Sequence, residues 1–144
     1  MVNLRLGPVF SRAGGALEKM LPPFRLGVGG VIGTGHQYMS WIAIDDVVEA
    51  IAHLLRADTV AGPVNLVAPN PVTNLELTKT VGKVLRRPTV LRVPAFALRI
   101  ALGEMADEML LVSVRVRPTR LLESGYRFRY PTLEATLRHV LGRG

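Results

Sequence analysis

Five of the 14 glycines in this 144-residue chain, Gly27, Gly29, Gly30, Gly33 and Gly35, fall within one short stretch. Closely spaced glycines let a backbone wrap a phosphate, and the dinucleotide form of that cradle needs G-x-G-x-x-G between a strand and a helix. Counted from Gly27, the sixth position is Ile32, and the order present is Gly30-x-x-Gly33-x-Gly35. The next run, His36-Gln37-Tyr38-Met39-Ser40-Trp41-Ile42, is rich in strand formers and opens no helix. The stretch therefore reads as a hairpin turned by its glycines rather than as a phosphate cradle.

Asp45-Asp46 is the next candidate, since paired carboxylates hold metals or move protons. The pair directly precedes an amphipathic run, Val47, Val48, Ile51, Leu54 and Leu55, so capping and the helix dipole account for it. His53 lies inside that helix with no second ligand four residues on, and His139 has no evident partner. His36, on the hairpin, could reach a ligand, but an ordinary surface histidine is the preferred reading. No metal site is expected. The chain has no cysteine, which removes disulfides, thiolate metal ligands and cysteine nucleophiles and fits a cytoplasmic setting.

The elements that must position these groups alternate. Val2–Leu6 reads as a buried strand closed by Gly7-Pro8, and a helix with Ala16, Leu17, Met20 and Leu21 on one face stops at Pro22-Pro23. After the Asp45-Asp46 helix come a strand over residues 62–69 and a capping box, Thr73-Asn74-Leu75-Glu76. That box opens a helix with Leu77, Val81, Val84 and Leu85 inward. A strand over 89–93, a long apolar helix from Phe96 to about Leu111, a short helix after Pro118, an alternating strand from Tyr126 to Tyr130 and a last helix after Thr132 complete the order. A boundary near residues 69–72 divides the chain into 1–69 and 70–144.

The chain is 49% hydrophobic and only 20% charged, below the ~25% usual for soluble domains. Charged residues break every apolar run well short of the ~20 residues a bilayer span needs, so no membrane partner is expected. With Arg5 inside the first apolar run and no small-residue cleavage site after it, no signal peptide is read. Excess apolarity without a membrane segment points to surface covered by other protein. Net charge is +7, concentrated in residues 86–144, with eleven basic and five acidic side chains. Those arginines are dispersed among few aromatics, so a solvated face is preferred and nucleic acid is not the expected partner.

Gly33-x-Gly35-x-Gln37-x-x-x-Trp41-x-x-Ile44-Asp45-Asp46, followed by Val47-x-x-Ala50-Ile51, resembles the second half of extended short-chain dehydrogenases/reductases, the NAD-dependent epimerase/dehydratase superfamily. Gly14-Gly15-Ala16-Leu17, Phe24-Arg25-Leu26-Gly27, Asn65-Leu66-Val67-Ala68-Pro69, Leu102-Gly103-Glu104-Met105 and Gly125-Tyr126-x-Phe128 resemble its nucleoside-diphosphate-sugar epimerase-like subgroup, which carries a small C-terminal domain of unknown function. The resemblance implies an α/β fold: an incomplete C-terminal portion of a Rossmann-like domain with a substrate-side hairpin (1–69), and a small α+β C-terminal domain (70–144). It also implies that the dinucleotide-binding glycines, the catalytic Ser/Thr and the Tyr-x-x-x-Lys pair belong to the family's N-terminal half. Here Tyr38, Tyr126 and Tyr130 are followed four residues later by Ile42, Tyr130 and Glu134.

Catalytic residues are therefore expected in none of these positions, and no cofactor is expected on this chain alone, although NAD(P) is implied for the full-length family. The substrate-lining residues implied are Arg5 at the strand end and Gln37, Met39, Ser40 and Trp41 on the hairpin, facing a small-molecule substrate. Arg5 has two readings, a phosphate contact or a carboxylate pair, and Trp41 two, a substrate platform or core. Many nucleotide-sugar enzymes of the superfamily have arginine where this chain has Met39, and the subgroup often has histidine where it has Ala43. The expected partner is a missing N-terminal half or a second copy of the chain. The alternative is a non-catalytic interaction module with a basic C-terminal face.

Overall fold

The computed structural model describes residues 2–12, 15–27, 29–56, 62–103 and 115–142. The order is β1 (Val2–Leu6), β2 (Val9–Phe10), α1 (Gly15–Arg25), β3 (Gly30–Ile32), β4 (Tyr38–Met39), β5 (Ile42–Ala43), α2 (Ile44–Arg56) and β6 (Gly62–Leu66). It continues with β7 (Val72–Thr73), α3 (Asn74–Leu85), β8 (Leu91–Val93), α4 (Ala95–Leu102), α5 (Thr119–Glu123) and α6 (Leu133–Val140). The strands form four pairs: β1–β6, β2–β5 and β3–β8 parallel, β4–β7 antiparallel.

This pairing replaces the expected hairpin. β3, β4 and β5, the strands of residues 30–43, pair with β8, β7 and β2 and not with one another. Gly33 and Gly35 do turn the chain, at φ of 58° and 75°. The turn sends β3 and β4 to different partners. Gly30 lies so close to β8 that a Cβ there would fall 1.6 Å from the Leu91 carbonyl oxygen. That glycine serves the close approach of two strands.

The main core gathers Phe10 and Trp41, Leu17, Leu21 and Phe24 of α1, Leu77, Val81, Val84 and Leu85 of α3, and Leu133, Leu137 and Val140 of α6. It joins residues from both sides of residue 69. The capping box holds: Glu76 N–H donates to Thr73 Oγ1, and Thr73 N–H to Glu76 Oε1, each at 3.2 Å. A second core packs Val47, Ala50 and Leu54 of α2 on Val64 and Leu66 of β6, with Leu121 and Tyr126.

Two element expectations change, and a third lies partly outside the described residues. α1 runs through Pro22-Pro23 to Arg25: the two prolines remove two donors and crowd the turn before them, but the last turn still closes, with Leu26 N–H donating to the Pro22 carbonyl at 3.2 Å. Residues 126–130 form no strand. Their alternation survives, with Tyr126 buried and Arg127 and Arg129 exposed, but the backbone is held by a side chain, as described below. α4 stops at Leu102, before Gly103 at φ 62°, and the expected continuation to Leu111 lies outside the described residues. Among the described residues no helix is long and apolar enough to cross a membrane.

Candidate functional site

β1 and β6 run in parallel register, Arg5 beside Asn65 and Leu6 beside Leu66. In open α/β sheets ligands gather outside the carboxyl ends of parallel strands. At that end Gly7 passes so close to the Ser40 carbonyl oxygen that an added Cβ would lie 1.9 Å from it, so only glycine fits. Ile42 N–H donates to the Pro8 carbonyl at 3.0 Å and Ala68 N–H to the Trp41 carbonyl at 2.7 Å, threading residues 40–42 between the two strand exits.

Residues 115–117 then pass Tyr38, Ser40 and Asn65 in turn. The Arg115 guanidinium lies 4.7 Å from the centre of the Tyr38 ring. Val116 N–H donates to Ser40 Oγ at 2.8 Å, and Asn65 Nδ2 donates to the Arg117 carbonyl at 3.4 Å. Arg5, in register with Asn65, Arg115, on the Tyr38 ring, and Arg117, whose carbonyl Asn65 meets, are all exposed, so three arginines lie along this end of the strand pair.

Of the residues expected to line the site, Arg5 is the exposed one. Met39 and Ser40 are buried, and Trp41 has no exposed surface. Trp41 stacks on Phe10, centroids 6.0 Å apart, and its Nε1–H donates to the Asn70 carbonyl at 3.0 Å. Asn70 Nδ2 in turn donates to the Pro131 carbonyl at 2.8 Å. Gln37 is half-buried, its Nε2 donating to the Ile32 carbonyl at 3.1 Å. These four side chains hold the strand exits in place, while Tyr38 and residues 115–117 form the surface. The arginine at 115 carries no motif that would have marked it; only the distant ring of Tyr38 does.

The Asp45-Asp46 pair also departs from its expected capping role. Asp46, fully buried, accepts from the Tyr126 hydroxyl at 2.6 Å and from the backbone N–H groups of Arg129 at 2.8 Å and Tyr130 at 2.9 Å. Burial first, and then this hydrogen bond to a carboxylate, push the Tyr126 phenol well above its usual range. Asp45 Oδ2 meets His139 Nε2 at 3.0 Å, and the His139 ring stacks on Tyr130 at 4.5 Å, so His139 has two partners that the sequence did not show. His53 Nε2 lies 3.0 Å from Ser124 Oγ, and His36 is exposed. Among the described residues no group of three or more His, Asp or Glu is placed to hold a metal ion.

Comparison with known proteins fits this geometry. Residues 93–140 match a domain of unknown function, DUF1731. An epimerase family protein of Mycobacterium bovis is 43% identical over 99% of this chain, which spans 48% of that protein. The solved structure of human epimerase family protein SDR39U1 with NADPH superposes at a TM-score of 0.90 and 40% identity, over 98% of this chain and 48% of that one. A nucleoside-diphosphate sugar epimerase from Corynebacterium glutamicum gives 0.73 at 32% identity, over 98% of this chain and 26% of that one. The chain thus spans about half the length of the curated relatives it matches.

Proposed function

The chain belongs to the epimerase family, as a counterpart of the C-terminal part of its members, and from that premise we propose that it forms the substrate-side half of an NAD(P)-dependent, epimerase-like oxidoreductase. The observation that carries this reading is the three-arginine edge, Arg5, Arg115 and Arg117, at the carboxyl end of a parallel strand pair. Guanidinium groups pair with phosphate or carboxylate oxygens in a fixed fork, so the edge suits an anionic small molecule of the sugar-nucleotide class. Met39 is buried and takes no part in that recognition.

Hydride transfer also needs a dinucleotide and a group that moves the accompanying proton. The glycine stretch does not fit the dinucleotide, since Gly30 is packed against Leu91. Tyr126 does not fit the proton-moving role, being buried against Asp46 with its phenol held protonated. Both parts are assigned to the N-terminal half of the family fold, and the absence of cysteine suits a cytoplasmic enzyme.

Calorimetric titration of the chain alone with NADPH tests this directly. The expected outcome is no stoichiometric heat at concentrations up to about a millimolar, the upper end of ordinary ligand affinities. A 1:1 isotherm that Arg5→Ala weakens would overturn the assignment of the dinucleotide site to the other half.

A further inference from the structure

α1 and α3 each end in a left-handed residue, and the two ends are built differently. α1 is followed by Gly27 at φ 77°, the residue type usual at such a position. α3 stops at Arg86, φ 57°, which among the described residues is the only non-glycine at positive φ. An arginine there carries a backbone cost that glycine avoids, so the turn itself does not call for it.

The two ends meet. Arg87 donates from Nε to the Arg25 carbonyl at 3.2 Å and from Nη1 to the Arg86 carbonyl at 3.3 Å. A Cβ on Gly27 would lie 3.8 Å from the Pro88 ring. β3 and β8 run parallel with Gly30 beside Leu91, so the chain enters both strands at the same end.

That end gathers Arg25, Arg86 and Arg87, all exposed, and no ion pair among the described residues involves any of them. Residues 19–44 and 77–103 contain no Asp or Glu, and Glu134, which reaches α3 from α6, is taken by Lys83 and Arg138. Beside the arginines Leu26 is 78% and Val90 85% exposed. Helix dipoles favour cations after α1 and α3, but they give no reason for two aliphatic side chains to stand in water next to them.

We propose that Arg25, Leu26, Arg86, Arg87 and Val90 form a docking surface for an anionic lipid bilayer. The aliphatic side chains enter the headgroup boundary, and the guanidiniums pair with lipid phosphates and carboxylates. Interfacial docking of this kind needs no spanning helix. A second copy docked here would set arginine against arginine. A protein partner brings both signs of charge to an interface rim, whereas a bilayer rich in acidic lipid brings one, and this end of the chain answers with one. The surface does not depend on the proposed function, and its test needs no NADPH.

Co-sedimentation of the whole chain with sucrose-loaded vesicles tests it, using phosphatidylcholine alone and phosphatidylcholine with about a third phosphatidylserine. The expected result is binding to the anionic vesicles, about tenfold or more weaker when salt is raised from about 0.1 to about 0.5 M, and little binding to the neutral ones. Arg86→Gly is the sharpest variant, because glycine suits its backbone. Its urea midpoint should not fall, while its affinity for anionic vesicles drops about fivefold. Leu26→Ser and Val90→Ser should each weaken binding about fivefold or more, and Arg127→Gln, which removes an exposed charge elsewhere, by less than about twofold. No binding to anionic vesicles would overturn the proposal, as would equal losses for Arg86→Gly and Arg127→Gln, which would reduce the effect to net charge. Binding indifferent to both serine variants, or a lowered midpoint for Arg86→Gly, would overturn it too. Retention on immobilised polyglutamate without vesicle binding would give this end to an acidic protein instead.

Discussion

The two sides of α2 have opposite fates although their residues are chemically alike. On one side Val47, Ala50 and Leu54 are buried, and Asp46 at the helix start clamps residues 126–130 over the same core. On the other, Ile44, Val48, Ile51 and Leu55 meet water. The difference lies in what has been brought opposite each side. A fully buried carboxylate with three donors ties the inner side to a segment 80 and more positions away, and nothing among the described residues plays that part for the outer side. Stability of this chain is invested on the inner side, and the outer side is left to solvent.

The largest expected effect is on the inner side. Asp46→Ala strands the Arg129 and Tyr130 N–H groups and the Tyr126 hydroxyl in a buried site. Hydrogen bonds to a charged group are worth about 1.5–3 kcal/mol each and do not add fully, so a loss of about 3–4 kcal/mol is expected, read by urea unfolding.

Tyr126→Phe keeps the ring and removes one donor, and should cost about 1–2 kcal/mol. It should also alter the alkaline limb of stability. The folded phenol is raised above the unfolded value of about 10, so its contribution is complete below that pH and is lost as pH rises beyond it, when only the unfolded chain ionises. Melting midpoints taken from pH 8 to 11 should fall more steeply for the parent than for Tyr126→Phe. Parallel limbs would show that the Asp46 clamp does not hold the proton.

The smallest effect belongs to the outer side. Leu55→Ala should change the stability of the isolated chain by less than about 0.5 kcal/mol, as surface substitutions do, whereas Leu54→Ala one position earlier should cost about 2–4 kcal/mol. Equal costs at positions 54 and 55 would erase the contrast between the two sides.

Local signals in the sequence were sound. The Thr73–Glu76 capping box and the inward face of α3 appear as expected, because a cap and a helical period are properties of neighbouring residues. The α/β class, the family resemblance and the turns at Gly33 and Gly35 were legible for the same reason. Pairing was not legible. The glycine stretch looked like a hairpin because its strands are near in sequence, while their partners β2, β7 and β8 are not. Residues 126–130 alternate like a strand, but the groups that satisfy their backbone belong to Asp46. For the same reason the contacts that bury Ser40 and Trp41 were not legible, since they come from Val116, Phe10 and Asn70, all distant in sequence. The amphipathic run of α2 groups Val48, Ile51 and Leu55 with Val47 and Leu54, because a helical period does not say which apolar residues already have a layer opposite them.

NADPH titration of the chain alone, and of the chain extended ahead of Met1 by the unmatched N-terminal portion of the Mycobacterium bovis relative, tests the substrate-side-half assignment most directly. The expected result is one NADPH bound per extended chain and none by the chain alone. Binding by the chain alone, or no binding by an extended chain that melts cooperatively, would contradict it.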